Sequence, residues 1–144
     1  MSDGRATWKE LASVVGLSPP AVRDRVRRLE SEGVIREYVA RVSPEAAGLP
    51  ILAYVLLTAS DPSYHEAILK WARDASRVQE CHVVAGESDY LLKVRAEDMP
   101  ELDRYLRADV RARPGVIRSQ TLMVLHTTKE TTGLPLRDAA GITS

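Results

Sequence analysis

The stretch "GLSPPAVRDRVRRLESEGVI" (residues 16–35) has the composition of a capped, basic helix. Ser18 is a typical N-cap residue, and Pro19 fits the first helical position because its missing N–H would have no partner there. Apolar residues recur at helical spacing from residue 22 to residue 29 and form a narrow stripe. Four arginines fall within six residues, and Gly33 ends the pattern. The stretch therefore predicts a helix that is apolar on one side and cationic on the other.

The charged side of this helix has two interpretations. One is an ordinary solvated face, on which Arg25 and Arg28 pair with nearby acids such as Glu32. The other is a DNA-reading face, since a guanidinium binds phosphate or grips guanine O6 and N7 with two hydrogen bonds. With Val22 facing inward at about 100° per residue, Arg25 flanks the stripe, and the outward positions are Pro20, Ala21, Arg23, Asp24, Arg27 and Arg28.

The neighbouring residues favour the DNA interpretation. Apolar residues recur at helical spacing over residues 7–15, and Gly16 with Leu17 leaves a tight turn before Ser18. After Gly33, "VIREYVARV" (residues 34–42) alternates as a strand does. Two short helices, a tight turn and a strand are the parts of a winged helix-turn-helix, whose second helix lies in the major groove. We therefore predict a winged helix-turn-helix DNA-binding domain over residues 1–42.

The rest of the chain shows a different, repeated pattern. Residues 43–50 ("SPEAAGLP") contain two prolines and a glycine and predict a linker. A strand–helix–strand pattern then occurs twice, with Asp61 and Asp98 as helix caps and Glu101 completing a capping-box pattern. A duplicated βαβ of this size predicts a ferredoxin-like βαββαβ domain over residues 51–144. The fold class of the whole chain is then α+β.

A ferredoxin-like domain packs both helices on one face of its sheet. The opposite face also needs cover, because "ILAYVLL" (residues 51–57) is too apolar to be left in water, and a homodimer is the expected cover. We expect the core to contain Trp8, Trp71 and Tyr105. The apolar helix faces are expected to consist of Tyr64, Ile68, Trp71 and Ala75 in the first helix and of Leu102, Leu106 and Val110 in the second.

Composition narrows the class of protein. The 144 residues carry 20 basic and 20 acidic side chains, so no overall charge calls for a nucleic acid or a membrane. The single cysteine, Cys81, excludes an internal disulfide and suits a reducing compartment. No apolar run reaches transmembrane length, and no signal-like start is present. We therefore expect a cytoplasmic protein without membrane contact.

The sequence contains no catalytic or metal-ligating pattern. Cys81 and His82 are neighbours on a predicted strand and point to opposite faces, so they cannot form a nucleophile–base pair. His65 and His126 stand at no metal-ligand spacing. We expect no catalytic residue, no metal and no cofactor other than a small-molecule effector.

Several motifs together resemble a known family. "ELASVVGLSPPAVRDRVRRLESEGVI" (residues 10–35) is similar to the DNA-binding segment of the Lrp/AsnC, or feast/famine, transcription regulators of bacteria and archaea. "GESDYLLKV" (residues 86–94) resembles the glycine-x-x-aspartate-tyrosine motif of that family's effector-binding domain. "PGVIRSQTLMVL" (residues 114–125) and "LPL" (residues 134–136) resemble the family's last strand and tail. The likeness covers nearly the whole chain, in the family's order.

The resemblance implies a repressor or activator that binds double-stranded DNA. Such regulators dimerise through the C-terminal domain, often assemble into octamers, and respond to a small effector, usually an amino acid. Arg25 would contact phosphate or buttress the helix rather than read bases. Carried over by motif position, the DNA-contacting residues are Ser18, Pro20, Arg23, Asp24, Arg25, Arg27 and Arg28.

The loop "AGESDY" (residues 85–90) lies between two predicted strands and can be a plain hairpin turn in which Gly86 has a positive φ. By resemblance it is the effector site, with Gly86, Glu87, Ser88, Asp89 and Tyr90 as the binding residues. Backbone N–H groups freed by the turn would hold the carboxylate of an amino acid, and Asp89 would hold its ammonium group. Asp89 could equally cap the turn by bonding its own backbone.

The sequence departs from the family's pattern at one point. The family opens with a further leucine- and isoleucine-rich helix, whereas Met1 stands only a few residues before "ATWKEL" (residues 6–11). Three explanations stay open: a start assigned too late, a truncated chain, or a real loss of the helix. Only a real loss predicts an under-packed DNA-binding domain that binds DNA poorly. A real loss of the helix suggests one alternative function, an effector-binding modulator that no longer binds DNA. A second alternative is an enzyme, because siroheme decarboxylases are similar to the Lrp/AsnC family in both domains. The enzyme would need to recruit arginines for the tetrapyrrole carboxylates, from among Arg95, Arg104, Arg107, Arg111, Arg113 and Arg118.

Overall fold

The computed structural model of the chain describes residues 4–134. The chain divides into two compact units, Met1–Val42 and Ser43–Ser144. Of the tail "LPL", residues 135 and 136 lie outside the described residues.

The first unit contains the two predicted helices, α1 (Trp8–Val15) and α2 (Pro19–Ser31). A capping box begins α1, in which the Glu10 N–H donates to the Thr7 hydroxyl at 3.3 Å and the Thr7 N–H donates to the Glu10 carboxylate at 2.7 Å. Gly16 ends α1 with a left-handed φ of 68°, and Ser18 caps α2 as predicted. The helix-turn-helix prediction is confirmed.

This unit has a small core. Ala12 in α1 and Val22 in α2 are its buried apolar residues among those the structure describes. The prediction that Trp8 belongs to the core is wrong, because its side chain is 40% exposed. Trp8 is the first residue of α1, where few neighbours in this unit can cover a large ring.

The strand predicted over residues 34–42 is not formed. The described chain there makes no strand ladder, and Val34, Tyr38, Val39 and Val42 are each at least 66% exposed. Alternating apolar and polar residues are not sufficient for a half-buried strand. A strand also needs a neighbouring strand to accept and donate its backbone hydrogen bonds. This segment has no such neighbour within the described part of the chain.

The second unit is the predicted βαββαβ domain. Its sheet places the four strands in the order second, third, first and fourth along the chain, with every neighbouring pair antiparallel, which is the ferredoxin-like arrangement. Its elements are β1 (Ile51–Ala59), a 3₁₀ turn (Pro62–Tyr64), α3 (His65–Asp74), β2 (Val78–Val83), β3 (Tyr90–Ala96), α4 (Met99–Tyr105) with a π-helical turn (Leu106–Val110), and β4 (Val116–Met123).

Alternation along the central strand β1 separates the two faces of the sheet. Ala53, Val55 and Leu57 are fully buried against the helices, whereas Tyr54 and Leu56 lie on the other face and are half-buried. Each helix contributes buried apolar residues to the core, namely Ile68 and Ala72 from α3 and Leu102, Leu106 and Val110 from α4 and its π turn.

Part of the predicted α3 face is corrected by the structure. Ala75 lies beyond the helix as its C-cap, and Ala72, which the predicted face did not include, is buried. Tyr64 precedes the helix and is 37% exposed. Trp71 and Tyr105 pack at the margin of the core as half-buried rings. Tyr64 belongs to the 3₁₀ turn before α3, so a regular 3.6-residue period does not give its angular position relative to the helix.

The helix caps predicted for the second unit are formed. Asp61 accepts the Ser63 N–H at 2.8 Å, and Asp98 accepts the Glu101 N–H at 2.7 Å. The reciprocal half of the expected capping box is displaced by one residue, since the Glu101 carboxylate accepts the Glu97 N–H and also pairs with Arg77 at 2.7 Å. Asp98 therefore caps α4, and Glu101 ties α4 to the start of β2.

Gly115 is the glycine on which the packing of this unit depends most directly. Its φ is +88°, and a Cβ built on it would lie 2.3 Å from Cγ of Tyr64. Because that atom is at the base of a ring, it cannot yield as a flexible side-chain end would. We expect Gly115→Ala to lower the free energy of unfolding by about 3 kcal/mol, as the sum of backbone strain and overpacking.

Gly48→Ala is the matched control for this substitution. Gly48 has a similar φ of +74°, but its Cβ would meet open space. We expect a loss of about 1 kcal/mol from the backbone alone. Urea denaturation of both variants measures the difference, and equal losses would show that the contact with Tyr64 carries no cost.

Candidate functional sites

The outer face of α2 is fully exposed and only partly neutralised. Arg28 donates to Glu32 at 2.7 Å, which is the pairing that the solvated-face interpretation expects for this residue. Arg25 does not share that pairing. The structure gives no hydrogen bond or ion pair, within the residues it describes, to Arg23, Asp24, Arg25 or Arg27. Three guanidinium groups and one carboxylate therefore remain available on α2.

The Gly86–Tyr90 loop is anchored to the end of β1 through Asp89. Its N–H donates to the Leu57 carbonyl at 2.9 Å, its carbonyl accepts the Val84 N–H at 2.9 Å, and its Oδ2 accepts the Ala59 N–H at 2.7 Å. The carboxylate therefore bonds a residue 30 positions away rather than its own backbone, which corrects the turn-capping alternative. One carboxylate oxygen, Oδ1, is left without a partner inside the described chain.

The residues of the loop have very different environments. Ser88 is 8% exposed and Tyr90 is 2% exposed, whereas the Glu87 side chain is 94% exposed and lies 3.7 Å from Arg118. Gly86 has a φ of 158°. Within the described chain, the backbone N–H groups of residues 85–88 have no partner. The loop thus presents a run of free amide donors beside an anchored carboxylate.

A cavity of about 260 Å³ opens next to this anchor. It is lined by residues 59–62, His65, Val83, Val84, Asp89 and Tyr90. Of the five predicted effector residues, Asp89 and Tyr90 line the cavity, whereas Gly86, Glu87 and Ser88 do not. Its volume suits a small metabolite rather than a large planar cofactor.

Two polar side chains in the cavity were not predicted from the sequence. His65 Nδ1 lies 2.9 Å from the Tyr90 hydroxyl, and Asp61 lies on the same wall. Hydrogen bonds from Ser63 lower the pKa of Asp61, and burial raises the pKa of Tyr90. The predicted βαββαβ order could have indicated these two residues. Its antiparallel pairing of β1 with β3 brings the residues after β1 beside those before β3.

The arginines considered for a tetrapyrrole do not converge. Arg107 and Arg113 pair with Asp103 and Asp109 on the α4 side of the sheet, and Arg111 bonds Ser119. Arg95 lies on the opposite face of the sheet, beside Glu130. Arg104 and Arg113 do line one cavity, but Asp74, Glu101 and Asp109 line it with them, which disfavours a ligand with several carboxylates.

Other reactive groups form no further centre. Cys81 is half-buried on the helix side of β2, and burial raises the pKa of its thiol. Within residues 4–134, no group of three or more His, Cys, Asp or Glu side chains is placed to hold a metal ion. Over the same residues, none of the helices has the length and hydropathy needed to cross a membrane.

Comparison with known proteins shows to which family the chain belongs. Residues 52–134 match the family model described as the Lrp/AsnC ligand-binding domain, and residues 1–36 match a winged helix-turn-helix DNA-binding model. The chain belongs to the Lrp/AsnC family. It is 43% identical, over 121 residues, to the HTH-type transcriptional regulator LrpA of Mycobacterium tuberculosis, with 81% of each chain covered.

Solved structures of Lrp/AsnC proteins have the same fold. A transcriptional regulator of Neisseria meningitidis in complex with L-methionine matches 92% of this chain and 86% of its own, with a TM-score of 0.88 and 32% identity. A feast or famine regulatory protein of M. tuberculosis, also complexed with L-methionine, matches 92% and 89% with a TM-score of 0.85 and 39% identity. The Lrp/AsnC resemblance of the sequence and the ferredoxin-like prediction are both confirmed.

Proposed function

We propose that this Lrp/AsnC protein is a sequence-specific transcription regulator that binds double-stranded DNA through α2 and responds to an amino acid. The observation that carries the proposal is the exposed face of α2, on which Arg23, Arg25 and Arg27 have no partner within the described residues. Charged side chains that find no partner in the chain are available to phosphates and base edges. The relatives' names and their complexes with L-methionine support this pairing of DNA and amino acid.

Each predicted DNA-contacting residue has a distinct role in the proposal. Ser18 holds the first turn of α2 through its bond to the Ala21 N–H, and Pro20 shapes the surface of that turn. Arg25 is assigned to phosphate, because it flanks the apolar stripe. Base contacts are assigned to the outward residues Arg23, Asp24 and Arg27. Arg28 would exchange its pairing with Glu32 for a contact with phosphate.

The effector proposal uses the cavity beside Asp89. An amino acid would place its ammonium group at the free Asp89 Oδ1, with Asp61 adding negative charge to the same wall. Its carboxylate would turn toward the free N–H groups of residues 86–88. Glu87 and Ser88 would shape the rim of the site from outside the cavity. His65 and Tyr90 form a polar part of the cavity wall, which would favour some effector side chains over others.

The open face of the sheet is the proposed dimer interface. Register places Tyr54 beside Leu122 and Leu56 beside Leu91 on this face, which forms an apolar centre. The nearby cations Lys93 and Arg95 are 8% exposed each and paired with Glu130, and Glu80 also bonds Lys93. An apolar patch with neutralised charges can stack on a second copy at little desolvation cost. Assembly of such dimers into octamers is a further part of the proposal.

Arg27→Ala tests DNA binding. We expect it to weaken binding to the duplex upstream of the protein's own gene by about 1–3 kcal/mol if Arg27 grips a base with two hydrogen bonds. Fluorescence anisotropy with excess random competitor, repeated over a salt series, measures this loss. An equal loss on specific and random DNA would assign Arg27 to phosphate alone.

Arg73→Ala is the matched control, because it removes an exposed arginine from α3 and should leave the affinity for DNA unchanged. A folded wild-type protein that takes up an amino acid but binds no DNA would contradict the regulator and support the modulator. A red or brown protein with a Soret band would instead support the decarboxylase-like enzyme.

Asp89 variants test the effector site. We expect Asp89→Ala to abolish L-methionine binding in calorimetry, because the ammonium group loses its charged partner. Asp89→Asn should keep the bond to the Ala59 N–H but still lose most of the affinity, since an amide lacks the charge. Unfolding curves of both variants show whether binding is lost because the protein unfolds or because the carboxylate charge is missing. Unchanged binding in Asp89→Asn would remove the ammonium role.

Leu122→Lys tests the dimer. Leu122 is 46% exposed on the open sheet face, and a charge there should convert the dimer to a monomer in sedimentation velocity. Met99→Lys is the control, because Met99 is 51% exposed on the helix side of the sheet. Dissociation by Met99→Lys but not by Leu122→Lys would place the interface on the helix layer.

A further inference from the structure

The N-terminus of α2 has lost the backbone donors that helices commonly offer to phosphate. Pro19 and Pro20 have no N–H, and the Ala21 N–H donates to the Ser18 hydroxyl at 3.4 Å. The next N–H, of Val22, donates to the Ser18 carbonyl at 3.0 Å. A helix that enters a groove N-terminus first usually positions itself with such amides. In this chain side chains must do that work.

Ion pairing further limits which side chains of α2 are available to position the helix on DNA. Arg28 is held by Glu32 at 2.7 Å, which leaves Asp24 without the partner that stands one turn after it. Asp24 lies three residues before Arg27 and next to Arg23, yet the structure gives it no ion pair with either. The carboxylate is therefore exposed and unpaired on the face that the proposed function turns toward DNA.

A free carboxylate at a DNA interface carries a physical cost unless it has a specific partner. Phosphates repel it, and a groove removes part of its water. An ionised carboxylate accepts hydrogen bonds but cannot donate one. In the major groove the base donors are the cytosine N4 and adenine N6 amino groups. Among the base edges of the major groove, only these two amino groups can therefore offset the charge of Asp24.

Cytosine suits a carboxylate better than adenine does. Adenine presents its N7 acceptor beside N6, so it repels a second acceptor and matches an amide side chain instead. Cytosine presents N4 alone, and its paired guanine presents the O6 and N7 acceptors that an arginine grips. An aspartate beside free arginines thus matches the donor and acceptor pattern of one G·C pair.

We propose that Asp24 is a specificity-determining residue that selects a cytosine in the operator half-site, with Arg23 or Arg27 on the guanines at or next to that pair. This inference rests on the proposed DNA binding by α2. It makes Asp24 a residue that lowers affinity for random DNA and raises the discrimination between sequences.

In vitro selection from a random duplex pool tests this, with the full chain as wild type, Asp24→Asn, Asp24→Ala and the charge control Glu37→Gln. We expect wild type and Glu37→Gln to enrich one position in cytosine. Asp24→Asn should move that position to adenine, and Asp24→Ala should show no preference there. In anisotropy, exchanging that C·G pair should weaken wild type at least about fivefold.

The affinity for random DNA gives a second readout. Asp24→Ala should bind random duplex more tightly than wild type at the same salt concentration, because it loses a phosphate-repelling charge. Selection of the same sequences by all four proteins would overturn the role of Asp24 while leaving the regulator intact. A wild type that enriches no sequence would overturn the proposed function itself and the inference with it.

Discussion

The second unit depends on the alternation of the central strand β1. Its odd-numbered residues 53, 55 and 57 are completely buried, and its neighbours β3 and β4 pair on either side. Because successive side chains of β1 point to opposite faces of the sheet, one set fills the core under α3 and α4. The other set forms an apolar surface. The pairing with β3 also brings Asp89 to the end of β1. Core, proposed dimer face and proposed effector cavity therefore share one strand register.

The first unit is organised by capping and charge rather than by a large core. Two apolar residues are buried there among the residues described, so the positions of α1 and α2 rely on the Thr7 capping box, the Gly16 turn and the Ser18 cap. On α2, one internal ion pair decides which charges remain available. Because Glu32 pairs with Arg28, the free charges lie between residues 23 and 27, in the middle of α2.

The two proposed sites use carboxylates in opposite ways. Asp89 is anchored by a backbone N–H at 2.7 Å and keeps one oxygen free, so it is a preorganised partner for a cation. Asp24 has no anchor in the chain and gains a partner only from the ligand. The first arrangement favours affinity for a small effector, whereas the second favours discrimination between DNA sequences.

The sequence by itself determined the features that arise from residues within a few positions of each other. The caps at Ser18, Asp61 and Asp98, the strand β1 and the βαββαβ order were all readable, because caps and periodicity are local. Tertiary structure alone decided the bond from Asp89 to Ala59, the cavity that joins His65 to Tyr90, and the failure of residues 34–42 to form a strand. Each of these depends on whether a distant segment lies alongside, and a local sequence pattern does not contain that information.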